Sequence, residues 1–563
     1  MIMKAKHTIL FLAVTALVLS LAGCSKSFLE VYPDSDYTGD SYYTSDEAVL
    51  KAIQPLYNRA WWGYNYRSAL GIGSYRANDA WNPYNAPEFT RFQTTALTEE
   101  VLRAWSSLYT VVTMSNALIR DVTQKCGEDV SEDVKNLAIG TAYTMRAASY
   151  FYMVRIWGPV ILIEDNDAAV NNPHLPLNPT EDVFKFIIRD LYKAIEYLPE
   201  KAADGYTGKY AAEGLLAKVL LARSGWKGGS RNAEDLTECI RLCEDVIDKG
   251  PYSLMEDYED LFKYQHNNNK ETMLAMEWAD PLVGGWWEVN STYSDLASTN
   301  YTDDVMVWGG ITASVDMILL YNINKAKDKR WRGNFFTPGD FYDYMWTDTG
   351  GFTFENDWMQ VKKGVVGRKC DVDGHLAMMA SPLNTYILRY ADVLLTHAEA
   401  CLGNSDKLTS GRGLDSYNAL LERAGLPAVS SVTFEDIIVN RRIEFCMEYC
   451  NWYDMVSWYM WKPDYMLDYF NNKQYRGITI HDGGVQKLDD GMLIYLPVNY
   501  TDADGNEIWS DNPAFSLTDY MTNYSDYVPV KVTPVNIFIP YPETDVLQNP
   551  KLSEDPVPYD FGE

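Results

Sequence analysis

Two stretches of this chain hold residue types that could grip a small polar ligand. The first, GSYRANDAWNPYNAPEFTRFQ (residues 73–93), offers Tyr75, Asn78, Asp79, Trp81, Asn82, Tyr84 and Arg91. The second runs through the aromatic middle of the chain and offers Trp286, Trp287, Tyr293, Trp308, Tyr342 and Trp346. A sugar ring presents C–H groups on its face and hydroxyls around its edge. A protein that holds one needs an exposed aromatic ring to stack against it and Asp, Asn, Arg or Gln at the rim. Both stretches lie outside the helical stripes, where an aromatic residue reads as core. With 41 Tyr and 17 Trp, the chain has rings enough to fill a core and still furnish such a surface.

Catalytic and metal chemistry have weaker support. Glu444 and Glu448 stand one helical turn apart beside Arg441 and Arg442. Arg442 falls on a buried stripe, so the group reads as a structural ion-pair ladder and not as the paired carboxylates of a glycoside hydrolase. No G-x-S-x-G, H-E-x-x-H, P-loop or helix-opening G-x-G-x-x-G occurs, and the six histidines are scattered. Cys239/Cys243 and Cys446/Cys450 are each spaced i,i+4, but no histidine lies at ligand spacing. They read as small core residues, and neither metal nor cofactor is expected. Asp371-Val-Asp-Gly374 and Asp502-Ala-Asp-Gly-Asn506 lack the full calcium-loop spacing and read as turns. A formal net charge of −30 argues against nucleic acid or anionic lipid headgroups as partners.

The elements that position these residues are mostly helices. Trp105, Leu108, Val112 and Ile119 form one stripe at 3–4 spacing. A second helix is expected from about Val134 to Trp157, stopped by Gly158-Pro159, and a third follows Pro179-Thr180-Glu181. The fourth, Ala211 to Ser224, carries Ala211, Gly214, Ala217 and Ala222, small enough for close approach of its neighbours, and a fifth covers roughly Ala233 to Asp248. From about 250 to 380 the rhythm gives way to Gly, Asn, Asp, Trp and Tyr, which predicts ordered long loops with short strands. Helices return with the stripe Ile387, Ala391, Leu394, Ala398, Cys401, then near Leu414 to Ala424, then as one long helix from Phe434 to Trp458. A hairpin-like region follows Pro463, including GITIHDGG and DADGNEIWSD. Helix pairs of similar length predict a mainly α fold, a tetratricopeptide-like scaffold with a loop-rich ligand-binding region.

The N-terminus reads as an export signal. Lys4 and Lys6 precede an apolar run, Ile9 to Leu19, too short to span a bilayer. Leu21-Ala22-Gly23-Cys24 then resembles the bacterial lipobox, whose cysteine is lipidated and becomes the mature N-terminus. The expected organisation is a signal peptide at 1–23, a tether at 24–45, a helical region at 46–250, the loop-rich ligand-binding region at 251–380 and a C-terminal region at 381–563.

Motifs spread along the chain resemble the SusD/RagB family of Bacteroidetes outer-membrane lipoproteins. They are Trp105-x-x-Leu-Tyr109 with Asn116, Arg146-Ala-Ala-Ser-Tyr-Phe151 with Trp157-Gly-Pro159, and Asp190-Leu191 with Ala194. Further along come Arg389-Tyr-Ala-Asp-Val-Leu-Leu395, Arg423-Ala-Gly-Leu426, Arg442-x-Glu444-Phe445 and the close Ile539-Pro-Tyr-Pro542…Asn549-Pro550. The sequence departs from the family pattern at Asn440, Tyr449, Asn451 and Ser457, where the family usually has Glu, Gly, Arg and Arg. The resemblance implies a lipid-anchored, surface-exposed protein of the outer membrane that is not an enzyme. It would capture oligosaccharides, or less often peptides, and pass them to a SusC-like TonB-dependent transporter. It also implies a site built by loops of the two aromatic stretches, with Asp79 and Trp81 fitting best.

Overall fold

The computed structural model describes residues 42–562, except 83–85, 324–327, 357–358, 475, 477–484, 488–492, 496–498, 502–503 and 510–529. Cys24 and most of the tether lie outside the described residues, as do Tyr84 and all of GITIHDGG.

Helices dominate. α1 (Asp46–Ile53) starts at Ser45, whose side chain accepts from Ala48 N–H. α2 (Glu99–Lys125) and α3 (Glu132–Trp157) pack antiparallel to form the first long pair. Ser131 caps α3 by accepting from Val134 N–H, and Gly158 ends it at a φ of +80° that an L side chain rarely adopts. α4 (Thr180–Tyr197) lies against α3 and α5 (Lys209–Gly225), and α6 (Ala233–Lys249) lies against α5. The predicted close approach at α5 is real. A Cβ added at Gly214 would sit 2.9 Å from Met273 Cε and 3.0 Å from Val393 Cγ2. The remaining longer helices are α7 (Val315–Ile323), α8 (Tyr390–Leu402), α9 (Arg412–Arg423), α10 (Phe434–Glu444) and α11 (Asn451–Trp461).

Short strands thread the loop-rich middle. β1 (Ala80–Trp81), β3 (Thr312–Ala313), β7 (Gln360–Val361) and β4 (Phe335–Phe336) make one antiparallel sheet in the order β1-β3-β7-β4. β2 (Thr272–Met276) pairs antiparallel with β8 (Thr385–Arg389), and β5 (Phe341–Tyr342) with β6 (Phe352–Thr353). Further along, β9 (Val485–Lys487) pairs with β10 (Leu493–Tyr495), and β11 (Asn499–Thr501) with β12 (Glu507–Trp509), both antiparallel. The main apolar core runs from Val49 to Leu552, so helices and loops share it, and Tyr258, Leu261 and Phe262 form a small second cluster.

Two expectations are corrected. Ile387 belongs to β8, not to the helical stripe, because the chain stays extended through Arg389 and α8 begins at Tyr390. The long helix expected from Phe434 to Trp458 is two helices, broken at 445–450, where Met447 and Tyr449 both take φ of +60°. The break has a chemical partner. The Glu444 carbonyl, freed at the end of α10, accepts from Tyr258 Oη (2.6 Å), Arg389 Nη2 (2.9 Å) and Lys363 Nζ (3.3 Å).

The Glu444 side chain is fully buried and takes Arg389 Nη1 at 2.7 Å, Arg330 Nη1 at 3.0 Å and Arg423 Nη2. Burial alone would raise its carboxyl, but Arg423, Arg389 and Arg330 together hold it well below the usual carboxylate range. Its stabilising contribution is therefore full above about pH 4.5 and is lost as pH falls further. Glu444 and Glu448 stand in buried ion pairs, but not with the expected Arg441 and Arg442: Glu448 is taken by Arg389 and Lys363, while Arg441 pairs with Asp392 and Asp454 and Arg442 with Asp316. The cysteines among the described residues are free; Cys239, Cys243 and Cys446 are buried, as small core residues, and Cys450 is half-buried. Glu444→Gln leaves three buried guanidinium groups short of one charge and should cost about 3–5 kcal/mol of stability at pH 7. Urea unfolding of the mature protein checks this, and a loss below about 1 kcal/mol would contradict it.

Candidate functional site: an aromatic strip over Asp295

The structure brings the two aromatic stretches together. β1 pairs with β3 in the register Ala80↔Ala313 and Trp81↔Thr312, and Thr312 Oγ1 donates to the Trp81 carbonyl at 3.0 Å. The loop entering β3 carries Trp308, and among the described residues Trp308 and Trp287 are the tryptophans that stand most open to solvent, at 46% and 55%.

Between them runs a continuous strip. Trp287 meets the Trp62 ring edge to face, centroids 4.4 Å apart, and Trp286 meets the same ring at 5.9 Å. Trp62 stacks on Tyr66 at 5.2 Å with the planes 18° apart, and the Arg103 and Arg67 guanidinium groups lie 4.8 and 5.2 Å from the Tyr66 centroid. Arg67 Nε then donates to both oxygens of Asp295 at 3.2 Å, and Trp308 Nε1 donates to Asp295 Oδ1 at 2.9 Å. Asp295 is itself fully buried, so one carboxylate fixes both the arginine and the far tryptophan from below.

Local backbone explains how these side chains reach one face. Tyr64–Ser68 is a wide helical turn with a kink inside it, Tyr66 at ψ 101° and Arg67 at φ +65°. Such a bulge re-aims side chains out of the helical register. Trp286 and Trp287 sit on a short turn that Glu288 closes by accepting from Gly285 N–H at 3.1 Å. Gly309 is needed beside Trp308, since a Cβ there would lie 2.1 Å from the Asp295 carbonyl oxygen.

The other expected residues fall elsewhere. Asp79 is fully buried, accepting from Asn451 Nδ2 at 3.0 Å and Met447 N–H at 3.2 Å, so it faces the scaffold. Burial pushes its carboxyl up to about 6 against the pull of Arg442. Trp81 is 3% exposed, its indole N–H without a partner among the described residues. Asn82 is buried beside the Tyr75 hydroxyl, which burial and then the charge of Asp295 push up, so these two underlie the strip. Asn78 is buried, and its carbonyl accepts from Ser314 Oγ at 2.6 Å. Arg91 is half-buried after the short helix Pro87–Thr90. Tyr293 is buried, donating to the Gly367 carbonyl at 2.9 Å, and Tyr342 is buried between Phe336 and Phe352. Trp346 is half-buried, donates to the Tyr301 carbonyl at 2.9 Å and is covered by the Arg368 guanidinium 3.4 Å from its centroid. Of the expected set, Trp286, Trp287 and Trp308 share the strip. Trp62, Tyr66, Arg67 and Asp295 were not anticipated, although the run Trp61-Trp62-Gly63-Tyr64-Asn65-Tyr66 is as aromatic as the stretches that were.

Among the described residues no group of three or more His, Cys, Asp or Glu is placed to hold a metal ion. Asp371 instead ties a turn, accepting from Trp346 N–H and Thr347 N–H, both at 2.9 Å. No helix among the described residues is long and apolar enough to cross a membrane.

Paired helices that carry a loop-borne aromatic face define the SusD-like class of protein. A SusD family model matches residues 270–557, and a second, described as starch-binding associating with outer membrane, matches residues 27–221. The chain belongs to the SusD family. It is 48% identical to a SusD-like protein of Bacteroides ovatus over 99% of both chains. A solved structure crystallised with xylogluco-oligosaccharide is 47% identical, with a TM-score of 0.80 over 92% of this chain and 100% of that one. A laminarin-binding SusD-like protein shares the fold at 18% identity, with a TM-score of 0.63 over 90% of this chain and 98% of the other.

The placement of Asp79 gives a signed expectation. Because its native carboxyl titrates above the ordinary value of about 4, the contribution of Asp79 to the stability of the parent protein falls as pH rises from about 4 to 6. Asp79→Asn removes that cost, so the variant should gain on the parent between pH 4 and pH 8 by an amount on the order of 1–3 kcal/mol. Unfolding at the two pH values measures it. A relative loss for the variant over that range would show that the charged carboxylate holds the fold.

Proposed function

We propose that this protein captures oligosaccharides at the cell surface, on the strip from Trp287 to Trp308, and delivers them to a SusC-like TonB-dependent outer-membrane transporter without altering them. The observation that carries the reading is the pair of open tryptophans joined through Trp62, Tyr66 and Arg67, with Asp295 fixing the far end. Flat rings with a polar rim match the face and edge of a sugar. The relative crystallised with xylogluco-oligosaccharide supports a neutral glucan-type ligand. The lipobox supports an anchor at Cys24, by which the protein would be held to the outer membrane.

The chemistry of the strip supports binding without catalysis. Its carboxylate, Asp295, is buried and engaged by Arg67 and by the Trp308 N–H. Glu444 and Glu448 are buried in ion pairs within the scaffold. Neither arrangement offers the two facing carboxyl groups that glycoside hydrolysis uses.

Trp287→Ala and Trp308→Ala should each weaken xylogluco-oligosaccharide binding at least tenfold (~1.4 kcal/mol) while leaving the unfolding midpoint in place. Trp346→Ala, outside the strip, should leave affinity within about twofold of the parent. Isothermal calorimetry reads both, with chromatography of the recovered ligand. Cleaved sugar, or unchanged affinity in both strip variants, would overturn the reading, as would saturable binding of peptides alone.

A further inference from the structure

A second polar recess lies away from the strip, and nothing in the capture reading uses it. Its volume is ≈ 320 Å³, at the lower end of the range of about 300–1,000 Å³ for small-molecule sites. The loop joining α4 to α5 forms one wall, with Ala202, Gly205 and Tyr206. The asparagine turn before β2 forms another with Asn268, and Tyr252 and Glu277 complete it.

Glu277 is the unexplained group. Its Oε2 accepts from Asn268 Nδ2 at 3.1 Å and from Asn384 Nδ2. Among the described residues its Oε1 has no hydrogen-bond partner, and no lysine or arginine comes within ion-pair distance. The side chain is half-buried and Oε1 stays within reach of solvent at the recess, free to accept from a hydroxyl. The walls are shaped for this. Asn268 holds φ of +56° to present its amide, and Gly205 holds φ of +81°, where a Cβ would stand 3.5 Å from Asn268 Nδ2. In the wall, Thr272 Oγ1 is buried without a partner. The ring of Tyr206 is half-buried at the rim, so one apolar face and several acceptors converge on the space.

We propose that this recess is a second saccharide subsite, holding a single neutral sugar unit with its hydroxyls donating to Glu277 and its C–H face against tyrosine. Asp204, Lys201 and Lys270 line the recess together with Glu277 and its asparagine neighbours, a mixed set that suits hydroxyl donors better than a divalent cation, which seeks six to eight oxygens. Two subsites on one chain would hold a branched or long glycan by effective concentration, so a weak pocket would still slow release. The proposal rests on the carbohydrate reading above, and its test separates the two.

The mature protein, and the same protein with Trp287→Ala and Trp308→Ala, are probed with D-glucose, D-xylose and D-galactose by saturation-transfer NMR. At least one sugar should give a signal at millimolar concentration that persists in the strip variant. Glu277→Gln should reduce that signal at least fivefold. Ala202→Trp, which fills the recess from its loop, should abolish it without shifting the unfolding midpoint. A parent that binds xylogluco-oligosaccharide but gives no monosaccharide signal, or a signal unchanged in both recess variants, overturns the subsite alone. A parent that binds neither overturns both readings. Calcium uptake that depends on Glu277, with no sugar signal, also overturns the subsite.

Discussion

The buried charge cluster around Glu444 is the interaction on which the architecture depends. Arg330, Lys363, Arg389 and Arg423 meet Glu271, Asp328, Glu444 and Glu448 in a balanced set, each side chain almost wholly withdrawn from water. Charges so placed are tolerable when every one is matched, and costly when one is removed. The members come from different places in the chain. Arg389 and Glu271 lie at the β8–β2 pairing, Arg423 ends α9, Glu444 ends α10, and Asp328, Arg330 and Lys363 come from the loop-rich middle. The cluster therefore fixes the loops to the helices at one depth, where an apolar contact would permit sliding.

That attachment lets a loop-borne surface behave as a rigid one. The strip is not built on regular secondary structure. Trp286 and Trp287 ride on a short turn, Trp308 on the loop before β3, and Tyr66 and Arg67 on a distorted helical turn. Each is secured by a specific contact: Glu288 to Gly285, Asp295 to Trp308 and Arg67, and the edge-to-face packing of Trp62 against both neighbouring indoles. Asp295 holds two of these pieces, which makes it the counterpart, at the surface, of Glu444 in the interior.

Sequence periodicity and the family motifs located the scaffold well, since amphipathic stripes and caps are local signals: α3, α5 and α6 begin and end within a few residues of the expected bounds, α4 begins at Thr180 as expected, and the stripe from Trp105 to Ile119 lies inside α2. The misreadings have long-range causes. Nothing local distinguishes Phe434–Trp458 from one helix. The break appears because Tyr258, Lys363 and Arg389, distant in sequence, take the Glu444 carbonyl. At the break Tyr449, at φ of +60°, stands where the family usually has Gly, the residue that takes positive φ most cheaply. The site was legible as chemistry but not as geometry. Composition picked out Trp286, Trp287 and Trp308, yet equally picked Trp81, Tyr293 and Tyr342, which pack inward. Whether a tryptophan stacks on solvent or on Phe352 depends on strand pairing that no single stretch records. Asn451, a departure from the family pattern, is answered by Asp79 and by the Arg442 carbonyl, so the local pairing changes while the helix stays.

Electrostatics narrows what the strip can hold. The chain carries a formal charge of −30, a field that opposes polyanionic glycans at any distance beyond direct contact. A site for an acidic sugar would need free cations to reverse that field locally. Arg67 is not free, because its Nε is committed to both oxygens of Asp295, and the pair sums to zero. Arg103 lies over Tyr66 and pairs with Glu99 on its own helix. What remains toward solvent is the indole surface of Trp287 and Trp308 and the edge of Tyr66, groups whose attraction for C–H faces is indifferent to net charge and weakly sensitive to salt. Affinity built this way grows with the number of rings covered. An open, uncharged strip thus favours a segment of a neutral polymer over its terminal sugar, on the capture reading proposed above.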